Sequence, residues 1–167
     1  MIRYTSLWLD TTNYSDYILK EELSMKISVV FWSQSGNTAA MADAVGQGIT
    51  EAGKEAEVIE VSSASLDALK EEKAFALGCP AMGAEVLEES EMEPFVAEVE
   101  SFAAGKTIAL FGSYGWGDGE WMRDWTDRMT SAGATVVNGE GLICHETPDE
   151  DGLSECVELG KALAQNA

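Results

Sequence analysis

The chain has 167 residues, of which 46% are hydrophobic and 24% charged, a composition typical of a soluble globular protein with one domain and a full core. Its 30 acidic residues against 10 basic ones give a net charge of −20 at pH 7, which argues against nucleic acid and anionic membrane surfaces as partners. A basic protein, attracted electrostatically, is the natural counterpart.

Residues 1–25 stand apart from the rest of the chain. They hold three of its four tyrosines and show no pattern that would join them to a sheet. The apolar run Leu7-Trp8-Leu9 is too short for a signal peptide, and no segment is long enough to span a membrane. Because the first predicted strand follows Met25 directly, we interpret residues 1–25 as a misassigned start or an added extension that is poorly ordered, and residues 26–167 as the folded domain.

The motif that organises the chain is a turn of six uncharged residues between a predicted strand and a predicted helix. The strand, residues 26–32, is a run of mostly β-branched and aromatic residues, typical of a strand buried in a parallel sheet. The helix begins near Thr38 and carries apolar residues at helical spacing. The turn consists of Ser33, Gln34, Ser35, Gly36, Asn37 and Thr38.

This turn has the composition of an anion-binding site. The first N–H groups of a helix have no intrahelical acceptor and the helix dipole adds a partial positive charge, so a phosphate can be held without lysine or arginine. The dipole contributes ~0.3–1 kcal/mol, against roughly 1.5–3 kcal/mol for each hydrogen bond to a charged oxygen, so the number of donors decides the affinity. An ordinary strand-to-helix connection is an equally supported alternative. A nucleoside triphosphate is disfavoured because the Gly-Lys-Ser/Thr ending of a P-loop is missing.

Four further strands are predicted downstream, separated by helices. They are short and mostly apolar, and they cover residues 56–61, 74–78, 107–113 and 135–144. Residues 138–141, Asn-Gly-Glu-Gly, interrupt the last of them. Five strands alternating with helices predict an α/β fold, a doubly wound five-stranded parallel sheet with helices on both faces.

The helices between these strands have recognisable starts. Ser65, Pro94 and Thr147 are predicted at or next to the first residues of three of them. A fourth helix, after residue 119, carries an apolar stripe at helical spacing whose tryptophans are predicted to lie in the core. The stripe consists of Trp121, Trp125, Met129 and Ala132.

Three loops are predicted to converge at one edge of the sheet, because ligands of such sheets bind outside the carboxyl ends of the strands. They are the turn 33–38, the long acidic loop 79–93 and the glycine-rich loop 113–119. Long loops in compact domains are usually functional, whereas a glycine-rich turn taken alone is more often a plain surface turn. Together they suit a ligand with a phosphate at one end and a flat ring at the other, with aromatic side chains on one face of the ring and the sulfur of Met82 on the opposite face.

The cysteines indicate a reducing compartment. Cys79, Cys144 and Cys156 are odd in number, widely separated and without a CxxC pair, so they form neither a disulfide framework nor a set of zinc or iron–sulfur ligands. We expect buried thiols in a cytoplasmic protein. The single histidine, His145, excludes a histidine cluster.

The sequence resembles the flavodoxins, FMN-containing electron carriers, and among them the short-chain type of anaerobic bacteria. The resemblance covers residues 26–165 and rests on the turn 33–38, on 81–91 (AMGAEVLEESE) and above all on 110–119 (LFGSYGWGDG), a highly specific motif. The insertion that splits the fifth strand of the long-chain type is missing, since only residues 138–141 interrupt it. The resemblance implies a flavodoxin-like strand order of 2-1-3-4-5 and tightly, non-covalently bound FMN.

The resemblance also implies a set of cofactor-binding residues. Trp116 would cover the outer face of the isoalloxazine ring and Met82 the inner face. The phosphate would be held by Ser33, Ser35, Asn37 and Thr38, and the pyrimidine edge of the ring by backbone groups of Glu85, Tyr114 and Gly117. The whole set is Ser33, Gln34, Ser35, Gly36, Asn37, Thr38, Ala81, Met82, Gly83, Ala84, Glu85, Ser113, Tyr114, Gly115, Trp116, Gly117 and Asp118, with no catalytic residue and no metal ligand.

Four positions depart from the pattern of the family. Ser35 stands where threonine is usual and Gln34 where a small residue is common, so the phosphate geometry is expected to differ slightly. Ala84 replaces a commonly polar residue beside the flavin, which would change the redox potential rather than the fold. Pro80 removes one possible backbone donor.

The implied function is that of a low-potential one-electron carrier whose FMN cycles between semiquinone and hydroquinone. Gly83 can adopt a positive φ, and the resemblance implies that its peptide flips to offer a carbonyl to the N–H that the semiquinone carries at N5. A hydrogen bond of about 1 kcal/mol shifts a one-electron potential by on the order of 45 mV. Acids in or beside the site should make the second potential strongly negative, because they disfavour a further negative charge. These acids are Glu85, Glu88, Glu89, Glu91 and Asp118, with no cation among the three loops.

We expect a monomer that is not an enzyme and that meets redox proteins with basic docking surfaces, such as reductases or oxidoreductases that also use ferredoxin. An FMN-dependent NAD(P)H quinone or azo reductase on the same fold is the alternative. It is disfavoured because a stacked Trp116 would fill the space for hydride transfer and because no basic patch would hold a dinucleotide phosphate. A phospho-acceptor signalling module of similar topology would need acidic residues where Ser33 and Cys79 stand.

Overall fold

The structure, a computed structural model, describes residues 14–18 and 26–167. Residues 14–18 form one short helix, α1. The prediction that residues 1–25 are a poorly ordered extension falls mostly outside the described residues and stays a prediction. In the part of the chain that is described, no helix is long and apolar enough to cross a membrane.

One parallel sheet forms the centre of the molecule, with helices on both faces. Its strand order is β2-β1-β3-β4-β5, and β6 also pairs with β4, which confirms the predicted fold class and order. The strands are β1 Lys26–Phe31, β2 Glu55–Glu60, β3 Ala74–Gly78, β4 Thr107–Tyr114, β5 Thr135–Val136 and β6 Leu142–His145. The other helices are α2 Asn37–Glu51, α3 Leu66–Glu71, α4 Met92–Glu100, α5 Glu120–Ser131 and α6 Glu150–Gln165.

The fifth strand of the prediction is present as two pieces, β5 and β6. Thr107 and Ile108 of β4 pair with β5, and residues 111–114 pair with β6, both in parallel. Between the two pieces, Val137–Gly139 forms a 3₁₀ turn. The predicted interruption is therefore confirmed, except that Val137 belongs to the turn and not to the strand.

The sheet separates two apolar cores. β3 is buried along its whole length and β1 after its first residue, which is why neither strand shows polar–apolar alternation in the sequence, although β1 contains the buried Ser28. The core on one face includes Trp121 and Trp125, which are 2% and 1% exposed, so the predicted core role of these tryptophans is confirmed. The core on the other face lies between the sheet and the helices α2 and α6.

Two helix starts differ from the prediction because carboxylates cap them. The α4 helix begins two residues before Pro94, and the carboxylate of Glu88 accepts the N–H of Met92 and of the two residues before it. The α6 helix begins at Glu150 and not at Thr147, with the Asp149 carboxylate accepting the N–H of Gly152 at 2.8 Å. The predicted cap of α3 by Ser65 is confirmed, since its hydroxyl accepts the N–H of Ala68.

Close packing of α2 on α6 fixes the helix that leaves the predicted phosphate turn. A Cβ on Gly48 would lie 1.9 Å from the carbonyl oxygen of Val157, and a Cβ on Gly160 would lie 2.0 Å from that of Val45. Only glycine permits these contacts at both positions. The approach of α2 to α6, and with it the placement of the α2 N-terminus, therefore depends on two glycines far from the turn.

Candidate functional site

The three predicted loops meet at the carboxyl edge of the sheet, as expected. They line one cleft of about 170 Å³. The described residues that line it are Gln34, Ser35, Asn37, Pro80, Ala81, Met82, Ser113, Tyr114, Gly115, Trp116 and Glu146. The turn 33–38 and Trp116 thus lie within reach of a single mononucleotide.

The turn between β1 and α2 gathers N–H donors around one point. Gly36 has a φ of 95° and precedes the first helical residue, Asn37. The Oγ of Ser33 accepts the N–H groups of Gly36 and Ala39, both at 3.2 Å. The Ser33 hydroxyl proton is left to donate elsewhere, and the N–H groups of Asn37 and Thr38, the first two residues of α2, have no intrahelical acceptor. This donor set, which contains no carboxylate, fits a phosphate group.

The base of the cleft joins the turn to the glycine-rich loop. The hydroxyl oxygens of Thr38 and Ser113 are 3.0 Å apart, and both residues are buried. The N–H of Ser113 also points to the Thr38 hydroxyl, at 3.4 Å. The start of α2 and the end of β4 are therefore held in a fixed relation by polar contacts that water does not reach.

Trp116 presents a large apolar surface at the mouth of the cleft. Its side chain is 53% exposed, which is unusual for tryptophan and leaves a face free for a planar ligand. The neighbouring Tyr114 is anchored, since its ring lies 5.7 Å from that of Trp121 and 5.1 Å from that of His145. Met82 lines the same cleft from the acidic loop.

Residues 82–86 form a tight turn closed by two backbone hydrogen bonds. The N–H and C=O groups of Met82 and Val86 bond each other at 2.9 Å in both directions. Gly83 has a φ of 51°, as the sequence predicted for a residue able to adopt positive values, and Glu85 has a φ of 54°. The turn therefore holds two residues in the left-handed region, one of which has no Cβ to oppose rotation of its peptide.

Glu85 connects this turn to the glycine-rich loop. Its Oε1 accepts the N–H groups of Asp118 and Gly119, both at 3.2 Å, at the start of α5. A Cβ on Gly117 would lie 2.2 Å from the Glu85 carboxylate, so only glycine permits this approach. The second and third loops are thus linked by a carboxylate that caps a helix.

Three of the five acids expected to surround the site, Glu85, Glu88 and Asp118, are engaged. Although burial alone would raise the pKa of Glu88, hydrogen bonds from three backbone N–H groups hold the pKa of this carboxyl below its usual value. Asp118 pairs with Arg123 at 2.8 Å, and this hydrogen bond lowers the pKa of Asp118. Arg123 lies on α5, outside the three loops, and is a cation near the site that the loop sequences do not reveal.

Glu146 is a residue of the cleft that was not predicted from the sequence. Glu146 follows β6, has a φ of 57°, and donates its N–H to the carbonyl oxygen of Tyr114 at 2.8 Å. The signal was available, because a fourth loop also leaves the carboxyl edge of the sheet after the last strand. Pro80, noted only as a missing donor, lines the cleft as well.

The predicted site residues divide into those that line the cleft and those that do not. Nine line it. The other eight belong to the same three loops but are not part of the cleft lining. These eight are Ser33, Gly36, Thr38, Gly83, Ala84, Glu85, Gly117 and Asp118.

Comparisons of the sequence and of the structure with known proteins point to one family. The family model described as Flavodoxin matches residues 29–160. The chain is 49% identical to a flavodoxin of Clostridium beijerinckii over 83% of this chain and 99% of that protein, and 42% identical to a flavodoxin of Megasphaera elsdenii over 83% and 98%. The solution structure of two-electron reduced Megasphaera elsdenii flavodoxin superposes with a TM-score of 0.74 at 41% identity, covering 83% of this chain and 98% of that one.

Proposed function

The chain belongs to the flavodoxin family, and from that premise we propose that it is a low-potential one-electron carrier cycling tightly bound FMN between semiquinone and hydroquinone. Flavodoxins bind FMN and act as electron-transfer proteins, not as enzymes. FMN supplies the one-electron chemistry. The residues of this chain bind it, orient it and control its surroundings.

The phosphate end of FMN would lie on the turn 33–38. The support is the donor set, with the N–H groups of Asn37 and Thr38 at the start of α2 and the hydroxyl and amide side chains of Ser33, Ser35 and Asn37. Several hydrogen bonds to a dianion of roughly 1.5–3 kcal/mol each would contribute most of the affinity. The Thr38–Ser113 pair would keep these donors at a fixed distance from the ring end.

The ring end would lie between Trp116 and Met82. The exposed face of Trp116 suits stacking on a planar ring, and the sulfur of Met82 suits contact with the other face. Backbone groups of Glu85, Tyr114 and Gly117 would meet the pyrimidine edge. This sandwich would exclude water from the ring.

The turn 82–86 would respond to reduction. Gly83 is already at a φ of 51°, and a Cβ there would meet only the Cγ2 of Val86, at 3.7 Å. Rotation of its peptide would offer the Gly83 carbonyl as the acceptor for a proton held at N5. That hydrogen bond would separate the two one-electron potentials.

A flavodoxin exchanges electrons with redox partners, and we propose partners with basic docking surfaces for this chain. The net charge of −20 supports this, because opposite charges steer encounter and raise the association rate. We further propose a cytoplasmic monomer. Association that weakens as salt is added would support the electrostatic part of the proposal.

The single observation that carries the proposal is the cleft in which the turn 33–38, Met82 and Trp116 meet. Stepwise dithionite reduction of the FMN-loaded protein, followed by visible absorption, tests it. We expect a yellow protein that passes through a blue intermediate. A colourless protein that ignores added FMN contradicts carriage of electrons on FMN.

The reductase alternative has less support in this cleft. Among the described residues that line it there is no lysine or arginine to hold a dinucleotide phosphate, and Trp116 stands where a nicotinamide would approach. Direct oxidation of NADPH by the FMN-loaded protein, at turnover rates, would favour the reductase instead.

A further inference from the structure

We propose that Cys144 and Cys156 are a modification site, at which a hydroperoxide converts the two thiols into a reversible intramolecular disulfide. This site is separate from the proposed electron carriage, because neither thiol lines the cofactor cleft and the reaction does not pass through FMN. It gives a chemical role to two cysteines that the proposed function leaves unused.

The two sulfurs meet in the core between the sheet and α6. Cys144 lies on β6 and Cys156 on α6, and both belong to the same buried cluster. A Cβ on Gly152 would lie 3.0 Å from the Sγ of Cys144, so this sulfur sits directly on the face of α6. Cys156 follows Gly152 by one helical turn on the same face, and its thiol forms a hydrogen bond with that of Cys144. Two thiols already in contact can be joined with little backbone movement.

The hydrogen bond between the thiols makes Cys144 the reactive member of the pair. Donated by the Cys156 thiol, it holds the pKa of Cys144 below the ordinary value, although burial and the carboxylates of residues 149 and 155 act in the opposite direction. The same bond, together with burial, raises the pKa of Cys156. Cys144 is 8% exposed, whereas Cys156 is fully buried. Because the thiolate is the form that oxidants attack, Cys144 reacts first and Cys156 serves as the resolving thiol.

The reaction takes place in two balanced steps. The Cys144 thiolate attacks an oxygen of the hydroperoxide and the O–O bond breaks. The leaving alkoxide takes up the proton that the Cys144 thiol released, so that sulfenic acid and an alcohol are formed. The Cys156 sulfur then attacks the Cys144 sulfur, the S–OH bond breaks, and the hydroxide leaves with the Cys156 proton as water. The two thiols together lose two electrons and two protons, and a thiol reductant reverses the change through a mixed disulfide.

Cys79 is the contrasting thiol of the same chain. It is fully buried in the core on the other face of the sheet, and burial raises its pKa to about 12. Its thiol donates to the carbonyl oxygen of Pro80 at 3.4 Å, and its sulfur accepts the N–H of Glu88 at 3.5 Å. Cys79 should therefore stay reduced under conditions that oxidise the pair.

The disulfide would join two elements that hold the surroundings of the cleft. Cys144 lies two residues before Glu146, which lines the cleft. Cys156 lies next to Val157, whose carbonyl oxygen marks the close approach of α6 to Gly48 of α2. Closing the loop 144–156 restricts the unfolded chain, so the oxidised protein should unfold at a higher urea concentration than the reduced one.

The test treats the full-length, FMN-loaded protein with hydrogen peroxide, alkylates the remaining thiols under denaturing conditions and maps the peptides by mass spectrometry without reduction. A protease that cleaves after glutamate separates the two cysteines, because glutamates lie between them in residues 146–155. We expect the peptides of Cys144 and Cys156 to be joined and Cys79 to be alkylated. The Cys144 thiol should be lost at least about tenfold faster than the Cys79 thiol. Dithiothreitol should restore all of them.

Two variants separate the steps. In Cys156→Ala the sulfenic acid on Cys144 should persist and be trapped by dimedone. Cys79→Ala is the matched control and should form the disulfide as the wild type does. The map of the wild-type protein needs no substitution, so it decides the question even where a variant is unstable.

Three results would overturn the inference. The first is loss of the Cys79 and Cys144 thiols at equal rates, as expected if the thiols react only after unfolding. The second is a disulfide between molecules, or unreacted thiols at both positions of the pair. The third is an oxidised protein no more stable in urea than the reduced one. None of these results bears on FMN binding, which the visible absorption of the protein measures separately.

Discussion

Thr38 and Ser113 lie 75 residues apart in the sequence, and their hydroxyl oxygens are 3.0 Å apart beneath the cleft. Thr38 belongs to the first turn of α2, and Ser113 to the last residues of β4. This buried contact fixes the distance between the phosphate end and the ring end of the proposed site. Its loss should therefore affect cofactor binding as well as stability.

Replacing Ser113 with alanine should weaken FMN binding about three- to tenfold and lower the free energy of unfolding by about 1–2 kcal/mol, because the Thr38 hydroxyl loses its buried partner. Fluorescence titration and urea unfolding measure the two effects. The double variant Thr38→Val with Ser113→Ala should cost less stability than the sum of the single changes. Ser62→Ala, at an exposed serine, is the control. If the stability losses of the two single variants added up to that of the double variant, the two hydroxyl groups would not be coupled.

The α2–α6 contact should be intolerant of a single methyl group. Gly160→Ala places a Cβ 2.0 Å from the Val45 carbonyl oxygen, so the helices must separate, and we expect a loss of about 1–3 kcal/mol in urea unfolding. Because α2 carries the phosphate turn, FMN affinity should fall too. Asp43→Ala, on the exposed face of α2, should leave both quantities nearly unchanged. If Gly160→Ala changed neither the free energy of unfolding nor the FMN affinity, the two helices would be able to move apart without cost.

Glu72 should make stability depend on pH. It is 3% exposed, and burial raises the pKa of its carboxyl above the ordinary value in spite of hydrogen bonds from Ser28. The stabilisation from protonated Glu72 is fully present below the unfolded pKa, about 4.3, and is lost as the pH rises through the higher folded pKa. As the pH rises from the unfolded pKa through the folded pKa, the wild type should therefore lose stability relative to Glu72→Gln. The amide of glutamine can keep both Ser28 contacts.

Urea unfolding across that pH range measures the difference between wild type and Glu72→Gln. The matched control is Glu71→Gln, since Glu71 is the exposed neighbour and its replacement removes the same charge away from the buried site. A difference between wild type and Glu72→Gln that stays constant with pH would show that Glu72 does not titrate differently in the folded protein.

Gly83 should control how much one-electron-reduced flavin accumulates. Gly83→Val places a β-branched residue at a φ of 51°, which opposes the proposed peptide rotation, so the yield of the blue intermediate during reduction should fall. Gly105→Val puts the same strain into a turn with open space around it, at a φ of 80°. That control should cost stability and leave the yield unchanged. An unaltered yield of the blue intermediate in Gly83→Val would contradict the proposed rotation of the Gly83 peptide.

The fold was predictable because its signals are local. The strands β1, β3 and β4 are apolar runs with both faces buried, and glycines and serines mark the turns between them. The fold class, the strand order and the convergence of three loops followed from that pattern and from the family resemblance. The positive φ of Gly83 followed in the same way.

The charges around the cleft were not predictable in this way. Whether an acid is free or engaged depends on contacts between distant segments, such as the carboxylate of Glu85 with the start of α5. Arg123 and Glu146 lie outside the loops that carry the motif, so their proximity to the site appears only once β6 and α5 are in place. The start of α6 was placed at Thr147 because proline usually follows a cap closely, whereas Asp149 provides the cap.

The proposed function requires one cleft to hold a phosphate and a flat ring at the same time. Titration of the apoprotein with FMN and with riboflavin, followed by quenching of flavin fluorescence, measures whether it does. FMN should saturate at one equivalent with its fluorescence quenched beside Trp116, and riboflavin should bind about 100-fold more weakly or worse, because it lacks the phosphate hydrogen bonds. Equal affinity for the two flavins, or binding without quenching, would contradict the claim.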